Sequence, residues 1–139
     1  MKRFNFSLER VLTYRRSQAD LEKAKLVGLE SELAQIREEL KNLHEAFLNE
    51  VRRVQPNPIE RAELGRFRMI VETQTIRIQQ RIYAKQGEID NQKGLYIKAN
   101  QAAEVLTKVK GKQKKIWDQE LQKELDSLAM DSFLSRWKN

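Results

Sequence analysis

Residues 26–47 read LVGLESELAQIREELKNLHEAF. Apolar residues recur in steps of three and four: Leu26, Leu29, Leu33, Ile36, Leu40, Leu43 and Phe47. That is one narrow stripe on a helix, the width of a coiled-coil seam, and it needs a partner helix to cover it. Downstream, Gln55-Pro56-Asn57-Pro58 ends the helix. Proline has no amide hydrogen to donate and forces the residue before it out of the helical region. A second heptad-patterned segment follows, with Val71, Ile78, Ile82, Ile89, Tyr96, Ala99, Ala103 and Leu106 on one seam, interrupted by Thr75, Lys85 and Gln92. So short a connection makes the two helices antiparallel neighbours.

The expected fold is all-α: two long helices in an antiparallel coiled-coil hairpin, the second longer than the first, forming a single domain over residues 1–139. Helix 1 is expected over about 7–54, the turn at 55–57 and helix 2 over about 58–136, with a break or bend near Gly65. Ser7 reads as the N-cap of helix 1, with Phe6 and Val11 at hydrophobic-staple spacing and Glu9 in the first turn. Asn57 reads as the cap of helix 2, with Pro58 at N1 and Glu60 at N3 as in a capping box.

Extrapolated towards the N-terminus, the helix 1 seam passes through Glu22, Ala19, Arg15, Leu12 and Leu8. Glu22 and Arg15 are poor seam residues. They read either as polar positions that set register or, for Arg15 and its neighbour Arg16, as residues that face a partner. In helix 2, Gly87 and Gly94 stand one heptad apart. They mark close backbone approach, plain tolerance or a flexible stretch.

After Leu106 the apolar phase drifts. Val105, Val109 and Ile116 fall on one line, and Leu121, Leu125 and Leu128 on another, as a stutter produces. Folding back about Asn57 exhausts helix 1 near Lys108, so helix 2 is expected to overhang over about 112–137. The overhang carries Ile116, Trp117, Leu121, Leu125, Leu128, Phe133, Leu134 and Trp137. Large apolar side chains on an unpaired helix form an interaction surface by default. The competing reading is that the end frays, or packs on the N-terminal arm at Phe4 and Phe6.

Composition narrows the function classes. Charged residues make up 34% of the 139, Gly and Pro are scarce, and the formal charge is +7. This is coiled-coil usage, and the basic balance favours an acidic partner of some kind. There is no Cys, which removes thiol chemistry, disulfides and Cys-based zinc sites. His44 stands alone, the glycines form no phosphate loop, and the carboxylate pairs read as solvated faces. No catalytic, cofactor-binding or metal-ligating residue is expected, and the chain does not read as an enzyme. The lysine run at 108, 110, 112, 114 and 115 lacks interleaved aromatics, so it reads as a solvated face and no nucleic-acid partner is expected. No window is apolar enough to span a membrane, and no secretion signal is evident.

The opening Phe4-Asn5-Phe6-Ser7-Leu8-Glu9-Arg10-Val11-Leu12, followed by Arg15, resembles the start of the FliJ family of flagellar export proteins. That family tends to open with Phe-x-Phe-x-Leu, then Val-Leu and a following Arg. Glu124-Leu125-Asp126-Ser127-Leu128-Ala129 resembles the family's ending, with Ser127 where an acid is common. The stalk proteins of virulence type III secretion systems share the same outline. The resemblance implies an antiparallel coiled coil similar to the central stalk of rotary ATPases. It would bind a hexameric export ATPase, contact the cytoplasmic domain of the export gate and cycle export chaperones. It would lie in the cytoplasm, peripheral to the inner membrane through protein contacts only.

On that reading the paired ends contact the ATPase: Arg3, Leu8, Val11, Leu12, Arg15 and Arg16 from helix 1, with Leu121, Leu125, Leu128 and Phe133 from helix 2. A second partner site is expected near the bend at Phe47, Val51, Phe67, Ile70 and Val71. The alternatives are a structural coiled coil that self-associates and a basic binder of nucleic acid or anionic membrane.

Overall fold

A computed structural model describes residues 2–138. It consists of two helices, α1 (Glu9–Arg53) and α2 (Pro58–Lys138), of 45 and 81 residues. They pack against each other as a coiled-coil-like helical hairpin, all-α as the periodicity predicts, with the second helix the longer.

The turn follows the local chemistry of the sequence. Val54 N–H still donates to Glu50 O at 3.1 Å, and Asn57 N–H then donates to Gln55 O at 2.7 Å. Asn57 caps α2: its Oδ1 accepts from Ile59 N–H at 2.9 Å, and its carbonyl accepts the first helical bond from Arg61 N–H at 2.9 Å. Glu60 departs from a reciprocal capping box. Its Oε2 accepts from Gln55 N–H at 2.7 Å, two residues before the cap, so it ties the end of the turn to the start of the helix.

α1 starts differently from expectation. Helix begins at Glu9, Leu12 N–H donates to Leu8 O at 2.9 Å, and Glu9 N–H closes a turn on Phe6 O at 3.1 Å. Leu8 therefore occupies the cap position in place of Ser7. Phe6 is buried and Val11 about two-fifths exposed. α2 runs unbroken through Gly65, so the break expected there is not found.

The chain divides into two compact units. The first, residues 21–96, holds the turn. Its seam is built from the α1 stripe of residues 26–47 against Leu64, Phe67, Val71, Ile78, Ile82, Ile89 and Tyr96 of α2, all buried or half-buried. The three expected interruptions also lie on this seam, and each has a polar partner. Thr75 Oγ1 lies 3.5 Å from His44 Nε2. The Lys85 ammonium donates to Glu32 at 2.7 Å and Glu88 at 2.9 Å, and these two hydrogen bonds hold its pKa above the ordinary 10.5. Gln92 is buried and its Nε2 donates to both the main-chain carbonyl (3.0 Å) and the carboxylate of Glu22. The two residues that break the pattern on opposite helices thus meet each other. Outside the seam, Arg81 forks onto Glu39 at 2.6 and 3.4 Å, which pulls the Glu39 carboxyl below its ordinary value.

The Glu22–Gln92 layer is the register device of this unit. A buried polar pair specifies alignment at a cost in stability, because an aligned pair satisfies both groups and a slipped one strands both. Gln92→Leu alone is expected to lower stability by about 1–2 kcal/mol, since it takes the seam donor from the Glu22 carboxylate and leaves it only the 3.7 Å ion pair with Lys25. Adding Glu22→Leu restores or exceeds the original stability and loosens register, which a cysteine cross-linking ladder between the helices reads directly.

The seam does not need its glycines. A Cβ built on Gly87 or Gly94 meets nothing within 4 Å, and neither residue has a positive φ. Close backbone approach is thereby ruled out. Gly87→Ala and Gly94→Ala are each expected to add about 1 kcal/mol by helix propensity, seen as a higher thermal midpoint for each variant and a roughly additive rise for the pair.

Candidate interaction surfaces

The second compact unit joins both chain ends, residues 2–20 with residues 97–138. Its core is small: Phe6, Leu12, Ala19 and Ala103 are buried, and Leu12 is completely so. Arg16 donates from Nη2 to Thr107 Oγ1 at 3.3 Å, and the Lys110 ammonium lies 2.8 Å from Glu9.

The arm ahead of α1 is not helical, yet it is held. Phe4 meets Trp117 with ring centroids 6.1 Å apart, and Trp117 Nε1 donates to Lys2 O at 3.1 Å. The Lys114 ammonium sits 4.1 Å from the centre of the Trp117 ring and 5.4 Å from that of Phe4. Aromatic and cation–π contacts at such a site contribute roughly 0.5–1.5 kcal/mol each. The arm therefore covers α2 as far as Trp117, and Leu121 is half-buried. Every described residue from 122 to 138 is exposed. The fully exposed stretch thus begins after Leu121, later than the overhang expected from 112, because an extended arm covers more of the partner helix per residue than a helix would.

The lysine run splits between two faces. Lys110 and Lys114 lie towards the arm and α1, where they take up the seam phase that Val109 and Ile116 had suggested was lost. Lys108, Lys112 and Lys115 are exposed and bond to no described residue. The charge is also uneven between units. The unit with both chain ends has fourteen basic and eight acidic residues, and the unit with the turn has thirteen and twelve.

The ten residues expected at the ATPase-facing ends all fall in this one unit. Leu8 and Val11 are about two-fifths exposed, and Arg3 and Arg15 are exposed. Arg15 bonds to no described residue, whereas Glu22 is spent on register, so the two polar breaks in the α1 seam have different fates. Leu12 is fully buried and supports the site from beneath without presenting a surface. Arg16 is committed to Thr107. Leu125 and Leu128 are half exposed and continue the Trp117–Leu121 face beyond the arm. Phe133 is also exposed but stands five residues past Leu128, more than a third of a turn round the helix, and so belongs to a different face.

At the turn unit the expected second site divides as well. Phe47 and Phe67 pack on each other with centroids 6.1 Å apart, and Val71 is buried, so these three are seam. Val51 and Ile70 are exposed, alongside Ile59, Met69 and Ile76, which sequence reasoning passed over. Two open grooves lie here. One is lined by Glu50, Arg53, Glu60, Glu63 and Phe67, the other by His44, Phe47, Arg68, Val71 and Ile76. Among the described residues, no group of three or more metal-ligating side chains comes together, and no helix is long and apolar enough to cross a membrane.

Comparison with protein-family models, with curated proteins and with solved structures found no match to this chain.

Proposed function

We propose that this chain is a non-enzymatic stalk and adaptor of a type III protein export apparatus of the flagellar kind. It binds the hexameric export ATPase through the unit that joins both chain ends, and links it to the export gate and to chaperones. The observation that carries this reading is the placement of the FliJ-like opening. Its exposed members Leu8, Val11 and Arg15 share one unit with Leu125 and Leu128, which continue a seam face past the last residue that covers it. A face built to be covered and left open needs an occupant.

ATP hydrolysis belongs to the ring, and the stalk biases its states by binding some subunit arrangements better than others. The excess positive charge of this unit suits an acidic ring surface and fast, salt-sensitive encounter. Exposed Val51 and Ile70 at the turn unit offer a second contact for the export gate or a chaperone. The test is binding of the chain to its cognate export ATPase, compared with Leu125→Asp/Leu128→Asp. The double variant is expected to fold normally and to lose binding by tenfold or more, since each change replaces apolar burial with an unpaired charge in the contact, at about 1 kcal/mol or more. Undiminished binding overturns the assignment of this face.

The equivalent stalk of a virulence secretion system shares the same outline, and the identity of the ATPase bound separates the two. Self-association is the second reading, because another copy of the chain could cover Leu125 and Leu128. A monomer by light scattering at micromolar concentration removes it.

A further inference from the structure

Beyond the seam face, α2 carries a second organised surface, and it does not point at α1. Starting at Lys98 and stepping three or four residues at a time, one row of the helix reaches residue 137, roughly 60 Å away at 1.5 Å per residue. Every residue on it is exposed. The row lies about half a turn round from the buried line through Ala99, Ala103, Leu106 and Leu121. Five of its members are cations: Lys98, Lys108, Lys112, Lys115 and Lys123. None of them bonds to a described residue. The single acid on the row is Asp126, which accepts from Gln122 at 3.0 Å. The neighbouring acids Asp118, Glu120, Glu124 and Asp131 fall off it, and Glu104 stands at its edge one turn before Lys108, where it accepts from Asn100 at 3.1 Å.

The row ends in apolar groups. Met130, Phe133 and Trp137 are on it and Leu134 flanks it, all about half exposed or more, with the Trp137 side chain 80% exposed. Val105 and Ile116, on the row and beside it, add exposed aliphatic groups among the lysines. A helix face with five lysines against one acid, ending in Met130, Phe133 and Trp137, offers cations to an anionic surface along most of its length and apolar groups to its interior at one end. The ammonium groups sit among anionic headgroups while the aromatic end enters the headgroup–acyl boundary.

We infer that this outer face of α2 binds an anionic lipid surface directly. A polyanion such as nucleic acid would use the lysines but gain nothing from Met130, Phe133 and Trp137, which is why the face fits a bilayer better. The inference does not rest on the ATPase contact at Leu125 and Leu128, although both draw on the positive charge of this unit. That contact uses the opposite face, so the chain can lie against a membrane while Leu125 and Leu128 remain open to a protein partner.

The experiment is co-sedimentation of the full-length chain with phosphatidylcholine vesicles, with and without phosphatidylglycerol, and tryptophan fluorescence in the same mixtures. Binding is expected only to vesicles containing phosphatidylglycerol, weakening at high salt, with a blue shift that Trp137→Phe removes and that leaves Trp117 as the unshifted residue. Lys108→Glu/Lys112→Glu/Lys115→Glu, whose targets are exposed and unbonded, is expected to keep its helicity and to bind at least about a hundredfold more weakly, at roughly fivefold per lysine. Phe133→Ser is expected to weaken vesicle binding and leave any binding to duplex DNA unchanged. Absence of binding to anionic vesicles, equal binding to neutral ones, or full binding by the triple variant overturns the inference. So does binding to DNA that exceeds vesicle binding and ignores Phe133→Ser.

Discussion

A chain ending at Leu121 is expected to fold as a hairpin and to lose its binding to the export ATPase. The cut removes residues 122–138, every described one of which is exposed, and leaves the buried Phe6, Leu12, Ala19 and Ala103 in place. It keeps Trp117, and with it the contacts to Phe4, Lys114 and Lys2 that hold the N-terminal arm. Helical circular dichroism per residue and the thermal midpoint should therefore stay close to those of the full chain. Binding should fall below detection, because Leu125 and Leu128 go with the cut. The position of the cut matters. Ending the chain at Lys115 would also free the arm, and a loss of binding could then come from either end. Retained binding by the chain cut after Leu121 would place the contact on Leu8, Val11 and Arg15 alone.

The second large effect is on stability. Leu12→Ala is expected to cost about 2–4 kcal/mol, the range for emptying a fully buried leucine site. Leu12 is completely buried in a unit whose core otherwise consists of Phe6 and small side chains, so few neighbours are available to collapse into the space. Leu125→Ala makes the same chemical change at a half-exposed site and is expected to shift stability by no more than about 0.5 kcal/mol. Chemical denaturation of both variants checks the pair. The contrast also separates the roles of two leucines that the heptad pattern treats alike: one holds the unit together, and the other is left for a partner.

Much of the fold was legible in the sequence because it depends on local rules. The stripe from Leu26 to Phe47 gives the seam, and Asn57-Pro58 gives the start of α2 with its cap bond to Ile59. What escaped depends on register or on non-helical chain. Glu22 and Gln92 each stand out as a break in a pattern, but only the hairpin alignment brings them together. The arm at Phe4 has no periodicity to read, so its cover over Trp117 stood only as the competing reading and the overhang was drawn from 112. Phe133 was grouped with Leu128 by apolar character, although a gap of five residues turns it to another face. The lysines from 108 to 115 looked like one run because alternation by two is invisible to a count, and on a helix it divides them between two sides. The proposed site was legible as a set of residues near both ends. Which of them are surface and which are support required burial to decide.

The most direct test of the stalk reading is the hydrolysis rate of the cognate export ATPase, competent to form hexamers, with and without the full-length chain at matched concentration. The stalk account predicts a faster rate with the full-length chain, since a ligand that binds the assembled ring better than free subunits shifts the population towards it. An unchanged rate, at concentrations where binding is saturated, would contradict it.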